Sequence, residues 1–310
     1  MRVAVIDLGT NTFNLLIAEL SQHSFKKIYG TRIAVKLGEG GINKGYIAEI
    51  PFQRGVNAMI EYKKVIDTYS INTISAFATS AIRSADNGQL FIESVKKNTG
   101  IHVDVISGDR EAELIYFGNR MATKMSDAPS LIMDIGGGST EFIIANKTKV
   151  FWKQSFLLGA ARLLEKFNPE NPISNDTIIS LKKYLKQELQ PLFNEVKKYQ
   201  LQELIGSSGA FDSVVDLIGY AYNTETLSSG KTEYLISLDH FKEMEKKIVH
   251  STTEERMLTK GLIAMRVDMI VISFLFVSLI IDEFQLTTLK CSTYSLKEGV
   301  IAELIEKYRS

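Results

Sequence analysis

The stretch that decides the fold is Arg2-Val3-Ala4-Val5-Ile6-Asp7-Leu8-Gly9-Thr10-Asn11-Thr12-Phe13. An apolar run reaches an aspartate, breaks at a glycine and three polar residues, and resumes from Phe13 to Leu20. That order predicts a buried strand, a tight polar turn and a second strand. It recurs later, where Leu131-Ile132-Met133-Asp134 leads into Gly136-Gly137-Gly138-Ser139-Thr140 and Phe142 to Ala145 is apolar again. Shifted by 127 residues, Asp7 falls on Asp134, Gly9 on Gly136, Thr12 on Ser139, and Leu15-Leu16-Ile17 on Phe142-Ile143-Ile144. Two unrelated hairpins could share turn residues, but they would not also match in their flanking strands, so the reading is a duplicated domain.

Around the hairpins the pattern is mixed α/β. Phe52, Val56, Met59, Ile60, Ile66 and Tyr69 trace a helical stripe, Ile74 to Ala78 and His102 to Ile106 read as strands, and Glu111 to Met121 as a helix. In the second half Leu181, Leu185, Leu189, Leu192 and Val196 recur at helical spacing, with Pro191 expected to kink that helix. A strand at Leu204 and Ile205 then reaches Gly206-Ser207-Ser208-Gly209, ahead of a helix from Phe211. No Pro- or Ser-rich linker intervenes. The turn-like Ser126-Asp127-Ala128-Pro129 places the boundary, giving a first domain of residues 1–124 and a second of 125–310.

A chain of 310 residues accommodates two domains. Lys plus Arg and Asp plus Glu are equal at 36 each, which argues against a surface built throughout for nucleic acid or an anionic membrane. Neither partner is expected, and any anion site must be local. Cys291 is the single cysteine and cannot form an intrachain disulfide, while the four histidines show no zinc spacing, so a reducing cytoplasm fits. Asp7 interrupts the N-terminal apolar run too early for a secretory signal. Met269 to Ile281 falls short of the roughly 20 residues that span a bilayer and reads as a buried core helix.

Both turns have the chemistry of a phosphate site. In Gly136-Gly137-Gly138 successive backbone N–H groups can converge on one anion, and Thr10, Asn11, Thr12, Ser139 and Thr140 add side-chain donors. Asp7, Asp134 and Glu141 would repel phosphate unless a cation lies between, which points to Mg²⁺. Ala78-Thr79-Ser80-Ala81-Ile82-Arg83 opens a helix after a strand; Thr79 and Ser80 read as caps, and Arg83 in the first turn, where a cation opposes the dipole, reads as a phosphate fork. Glu111 begins another helix, and its position alone leaves capping and general-base catalysis equally open. Gly206-Ser207-Ser208-Gly209 likewise allows a phosphate loop or a capped helix start.

In combination and order these motifs resemble the family of exopolyphosphatases and guanosine pentaphosphate phosphohydrolases, in the actin, sugar kinase and Hsp70 superfamily. Asp7 to Thr12 is similar to that family's first phosphate loop, Asp134 to Glu141 to its second, and Ala78 to Arg83 to its Ala-Thr-Ser-Ala-x-Arg segment. The resemblance implies two ribonuclease H-like domains with mixed sheets flanked by helices, an active site in the cleft between them, and a C-terminal helix at about 298–310 returning to the first domain. It implies Glu111 as catalytic base, Glu141 as the second essential acid, a monovalent cation as a further activator, and a homodimer. The chain ends near residue 310, as in the short members. Arg110 stands where many members carry a glutamate, and Leu262 to Asp268 lacks the proline pair often found before its Arg-x-Asp. The expected activity is removal of terminal orthophosphate from inorganic polyphosphate, with guanosine pentaphosphate (pppGpp) as the alternative substrate. A kinase or ATPase of the same superfamily and a non-catalytic alarmone sensor are the remaining rivals.

Overall fold

Bulky and β-branched residues on both arms, Val3, Val5 and Ile6 against Leu15, Leu16 and Ile17, favour extended backbone and make the first hairpin. The computed structural model describes the backbone of residues 1–309 and the side chains of residues 1–307. In it β1 (Arg2–Leu8) pairs antiparallel with β2 (Thr12–Leu20), Asp7 opposite Asn14 and Leu8 opposite Phe13. Next come β3 (Phe25–Ala34), α1 (Glu49–Asp67), β4 (Thr73–Ala78), α2 (Ser80–Arg83), α3 (Gly88–Thr99), β5 (Asp104–Val105) and α4 (Gly108–Ala122). The sheet order is β3-β2-β1-β4-β5, with β4 parallel to β1.

The second hairpin repeats the first. β6 (Ser130–Ile135) pairs antiparallel with β7 (Thr140–Ala145), Asp134 opposite Glu141 and Ile135 opposite Thr140, which is the register of the first hairpin moved on by 127 residues. Then follow β8 (Val150–Phe156), α5 (Ala160–Phe167), α6 (Asn175–Glu188), α7 (Gln190–Val196), β9 (Glu203–Ser207) and α8 (Ser208–Tyr222). The remainder is β10 (Glu233–Ile236), α9 (Leu238–Val249), α10 (Thr253–Leu258), α11 (Ile270–Phe284), β11 (Thr288–Ser292) and α12 (Leu296–Arg309). The order β10-β11-β9-β6-β7-β8 reproduces the first sheet with β10 added at its edge, and β9 runs parallel to β6 as β4 does to β1.

The chain forms two units, Met1–Gly118 together with the chain from Leu296 onward, and Asn119–Ser295; the division falls inside α4. In the first, Ala4, Ile6 and Leu8 with Phe13, Leu15 and Ile17 pack against Val56, Met59 and Tyr62 of α1 and Phe91 of α3. α12 packs on β1 and β2, and Val3 and Val5 are also fully buried, so both faces of β1 are covered. In the second, α11 is apolar on every side, buried throughout Ile270 to Ile281, and packed among α5, α6, α8 and α9. Among the described residues no helix is long and apolar enough to cross a membrane.

Two local expectations change. Instead of kinking one helix at Pro191, the chain ends α6 at Glu188 and starts α7 with the proline in its first turn, where a missing N–H costs nothing. The strand expected over His102 to Ile106 pairs with β4 only at Asp104 and Val105. Helix α12 meets α4 at very close range, since a Cβ on Gly299 would lie 1.8 Å from the Leu114 carbonyl oxygen. A Gly299→Ala substitution must push the helices apart and should lower unfolding free energy by about 1–3 kcal/mol. Chemical denaturation checks this, and an unchanged midpoint would contradict the packing described.

Candidate active site

In the first unit the turn after β1 is held by its carbonyls. The chain leaving β3 folds back on it, with Lys36 N donating to Asn11 O at 2.8 Å and Gly38 N to Thr10 O at 3.2 Å. Among the described residues no acceptor takes the N–H groups of Thr10 and Asn11, so the turn presents donors. Asp7 Oδ2 accepts from the Asn14 amide across the ladder at 3.0 Å.

Arg83 and Glu111 meet in the same unit. Arg83 Nη1 donates to Glu111 Oε2 at 2.8 Å and to Ile106 O at 3.0 Å, and Glu111 is 7% exposed. Glu111 is thus fixed by a guanidinium. The capping expected of Thr79 and Ser80 does not occur: neither side chain caps α2, and Thr79 donates instead to Leu8 O at 3.4 Å. Helix α2 is a single turn with Arg83 in its last turn, where a cation opposes no dipole, and the ion pair with Glu111 accounts for the arginine. Arg110, the departure noted in the sequence, donates to Glu113 at 2.5 Å and to Glu303 of α12. Burial works against its charge, but the hydrogen bonds it donates to Glu303 and Glu113 outweigh it and raise its pKa.

The second turn follows the same plan. Gly136 N donates to Ser139 O, Ala160 N to Gly136 O, and Ala161 N and Arg162 N to Gly137 O, while Arg162 Nε reaches Gly138 O at 2.9 Å. The start of α5 thereby takes the three glycine carbonyls. Among the described residues the N–H groups of Gly137, Gly138 and Ser139 have no acceptor, so they remain available to an anion. Arg162 is a positioning residue that the sequence reading missed; burial pushes its pKa down, against the pull of Tyr184 and Glu165.

Beside this turn Asp134 and Glu141 stand directly opposite on adjacent strands, 5% and 1% exposed. Like charges so placed are destabilising, and burying both calls for hydrogen bonds and a counter-charge. Asp134 Oδ2 accepts from Ser207 Oγ at 2.6 Å and from Ser295 Oγ, and Glu141 Oε1 from Ser155 Oγ at 2.6 Å. These hydroxyls orient the carboxylates. Facing carboxylates are the donor type that a hard dication takes one or two at a time, completing its shell with water and phosphate oxygens. The equivalent pair in the first hairpin is Asp7 and Asn14, where the amide already satisfies the acid.

Other predicted site residues have different roles. Thr140 is fully buried and donates to Leu158 O at 2.9 Å, so its hydroxyl proton is not offered to the turn. Ser207 binds Asp134, and Gly206 is glycine because a Cβ would lie 2.0 Å from the Phe211 ring. Ser208 adopts a left-handed φ of 71°, and a Cβ on Gly209 would lie 1.3 Å from the Arg266 guanidinium. That contact sets Arg266 against the start of α8, a placement the sequence alone did not reveal.

Donor-lined turns, a buried acid pair and an arginine-held glutamate on a duplicated α/β fold define a phosphatase class of protein. The family model described as "Ppx/GppA phosphatase family" matches residues 16–308, and the chain belongs to that family. A solved exopolyphosphatase from Cytophaga hutchinsonii superposes with a TM-score of 0.96 at 37% identity, covering 99% of this chain and 98% of the other. The bifunctional 3-dehydroquinate synthase/phosphatase of Fusobacterium nucleatum is 36% identical over 225 residues, 69% of this chain but 34% of that protein. The guanosine-5'-triphosphate,3'-diphosphate pyrophosphatase of Photobacterium profundum is 24% identical over 99% of this chain and 60% of its own length.

Gly159 tests how far the second turn depends on α5. A Cβ there would lie 2.3 Å from the Gly137 carbonyl carbon and the Gly138 nitrogen, so Gly159→Ala must displace the turn. Its kcat/KM for phosphate release should fall at least about tenfold while the variant still unfolds cooperatively. Wild-type kinetics in that variant would show that the turn's position is not critical.

Proposed function

We propose that this protein is an exopolyphosphatase that removes terminal orthophosphate from inorganic polyphosphate. The observation that carries this reading is the set of backbone N–H groups left without acceptors in the two matching turns, Thr10 and Asn11 in one and Gly137, Gly138 and Ser139 in the other. Turns built this way act as phosphate-binding loops, because aligned N–H dipoles meet anionic oxygens without a side chain intervening.

The Glu111 carboxylate, held by Arg83, takes a proton from water as the water oxygen attacks the terminal phosphorus. The bond from that phosphorus to the bridging oxygen breaks, orthophosphate leaves, and the shortened chain keeps the bridging oxygen and its electron pair. Asp134 and Glu141 would hold Mg²⁺, which when bound offsets phosphate charge and stabilises the leaving oxygen. Ser207, Ser295 and Ser155 keep those two carboxylates oriented. Thr12 adds a hydroxyl after the first turn, Arg83 holds Glu111, and Gly9 and Gly136 begin the two turns. Turnover rather than passive sensing is supported by the placement of Glu111 as an oriented base.

A second substrate, pppGpp, is supported by the 24% identity to the Photobacterium profundum pyrophosphatase along 99% of the chain. The same turns and base would serve it. A cytoplasmic setting is supported by the lone, buried Cys291. We propose a homodimer and activation by a monovalent cation on the family likeness alone, and the balanced charge supports neither nucleic acid nor membrane as partner.

Phosphate release from long-chain polyphosphate, pppGpp and ATP at matched terminal phosphate tests the reading. Release should require Mg²⁺, stop with EDTA, and be fastest from polyphosphate; preference for pppGpp would promote the second substrate. Glu111→Gln should lower kcat by about 10²- to 10⁴-fold with KM nearly unchanged. Unimpaired turnover in that variant would sink its role as base.

A further inference from the structure

Register places three side chains in one row across the first sheet: Asp7 on β1 opposite Asn14 on β2, and Asn14 opposite Arg32 on β3. Residues directly opposite on neighbouring strands share a face, and strands lie about 4.8 Å apart, so Arg32 stands about 10 Å from Asp7 beside the first turn. The corresponding row of the second sheet is Asp134, Glu141 and Ser155. The two rows have diverged in charge. The second carries two carboxylates and suits a cation; in the first, an amide replaces the second acid and an arginine replaces the serine.

Arg32 is exposed, and among the described residues no hydrogen-bond or ion-pair partner lies within reach of its guanidinium. Lys36 follows four residues later, also exposed and without a side-chain partner. Its backbone is left-handed, with φ of 47°, a conformation that lysine adopts only under constraint. The constraint is visible. Lys36 N is tied to Asn11 O of the turn, and Arg54 grips the segment from behind, with Nε donating to Val35 O at 2.7 Å and Nη2 to Lys36 O at 3.1 Å. The strain thus fixes Lys36 at the carbonyl edge of the turn whose Thr10 and Asn11 N–H groups have no acceptor among the described residues.

We infer that Arg32 and Lys36 form a cationic subsite that binds the non-reacting phosphates of a polyphosphate chain whose other phosphates lie on the first turn. This rests on the polyphosphate reading given above for substrate identity, but the subsite itself needs only a condensed phosphate anion. A chain of phosphates carries charge at every unit, and two unpaired cations next to the donor turn supply the matching charge without adding to the chemistry.

The test uses Arg32→Gln, Lys36→Asn and the double variant of the full chain, with Arg32→Lys as the conservative control. Asparagine tolerates the left-handed backbone, so Lys36→Asn removes charge while keeping the turn's support. For polyphosphate hydrolysis, each neutral variant should raise KM about tenfold with kcat within about twofold, the double variant more, and Arg32→Lys should recover part of the loss. The salt dependence of KM should weaken in step. Calorimetric titration with tripolyphosphate in EDTA, where Mg²⁺-dependent release is stopped, reads the subsite without turnover, and the neutral variants should bind it at least about tenfold more weakly than wild type. If wild type binds tripolyphosphate in this way yet hydrolyses no polyphosphate, the subsite stands and the assigned reaction falls. Equal tripolyphosphate affinity in wild type and variants, no binding by wild type, or a fall in kcat with KM unchanged would each overturn the subsite.

Discussion

The register of the two opening hairpins is the constraint on which the rest of the structure depends. In a strand, side chains alternate between faces, so a slip of one residue would carry Asp7 or Asp134 into the apolar core on the opposite face. The slip is prevented by burial: Ala4, Ile6 and Leu8 with Phe13, Leu15 and Ile17 fill one core, and Leu131 and Met133 with Phe142 and Ile144 fill the other. A hydrophobic pattern thereby fixes where the carboxylates stand.

From that register the two sites follow by different local chemistry. Each turn has its carbonyls occupied by a segment that folds back on it, residues 36–38 in the first unit and the start of α5 in the second. Hydrogen bonding on one edge of a turn leaves the N–H edge for an anion. Beside the first turn, Asn14 satisfies Asp7, and beside the second, Glu141 confronts Asp134. One architecture thus occurs twice, with different charge in the matching ladder rows, Asp7, Asn14 and Arg32 in one and Asp134, Glu141 and Ser155 in the other.

Glu111 illustrates how a distant element controls a single group. It lies in the first turn of α4, which is tied to α12 through Arg110 and Glu303, and the next turn meets α12 where Leu114 faces Gly299. Arg83 arrives from α2 to hold the carboxylate. The arginine at position 110, a departure from the family pattern, therefore has a structural partner in the last helix.

The duplicated hairpin, the mixed α/β character, the buried helix at α11 and the acidic, glycine-rich turns were all legible in the sequence, because each rests on short-range periodicity or on residue types with few conformational options. Strand β3 was not, since its edge position leaves Lys26, Lys27 and Arg32 exposed and blurs the alternation that marks a strand. The partners of the turns escaped for another reason. Arg162, Ser155, Ser295 and Arg266 are ordinary residues in sequence, and each gains its role from a contact with a segment many residues away. The same holds for Thr140 and Ser207, which looked like ligands of phosphate and became donors to Leu158 and Asp134. Residue type and spacing determined which groups could bind an anion or a cation; only the tertiary structure decided which of their protons and lone pairs were already committed, because hydrogen bonds saturate and their partners are set by the fold.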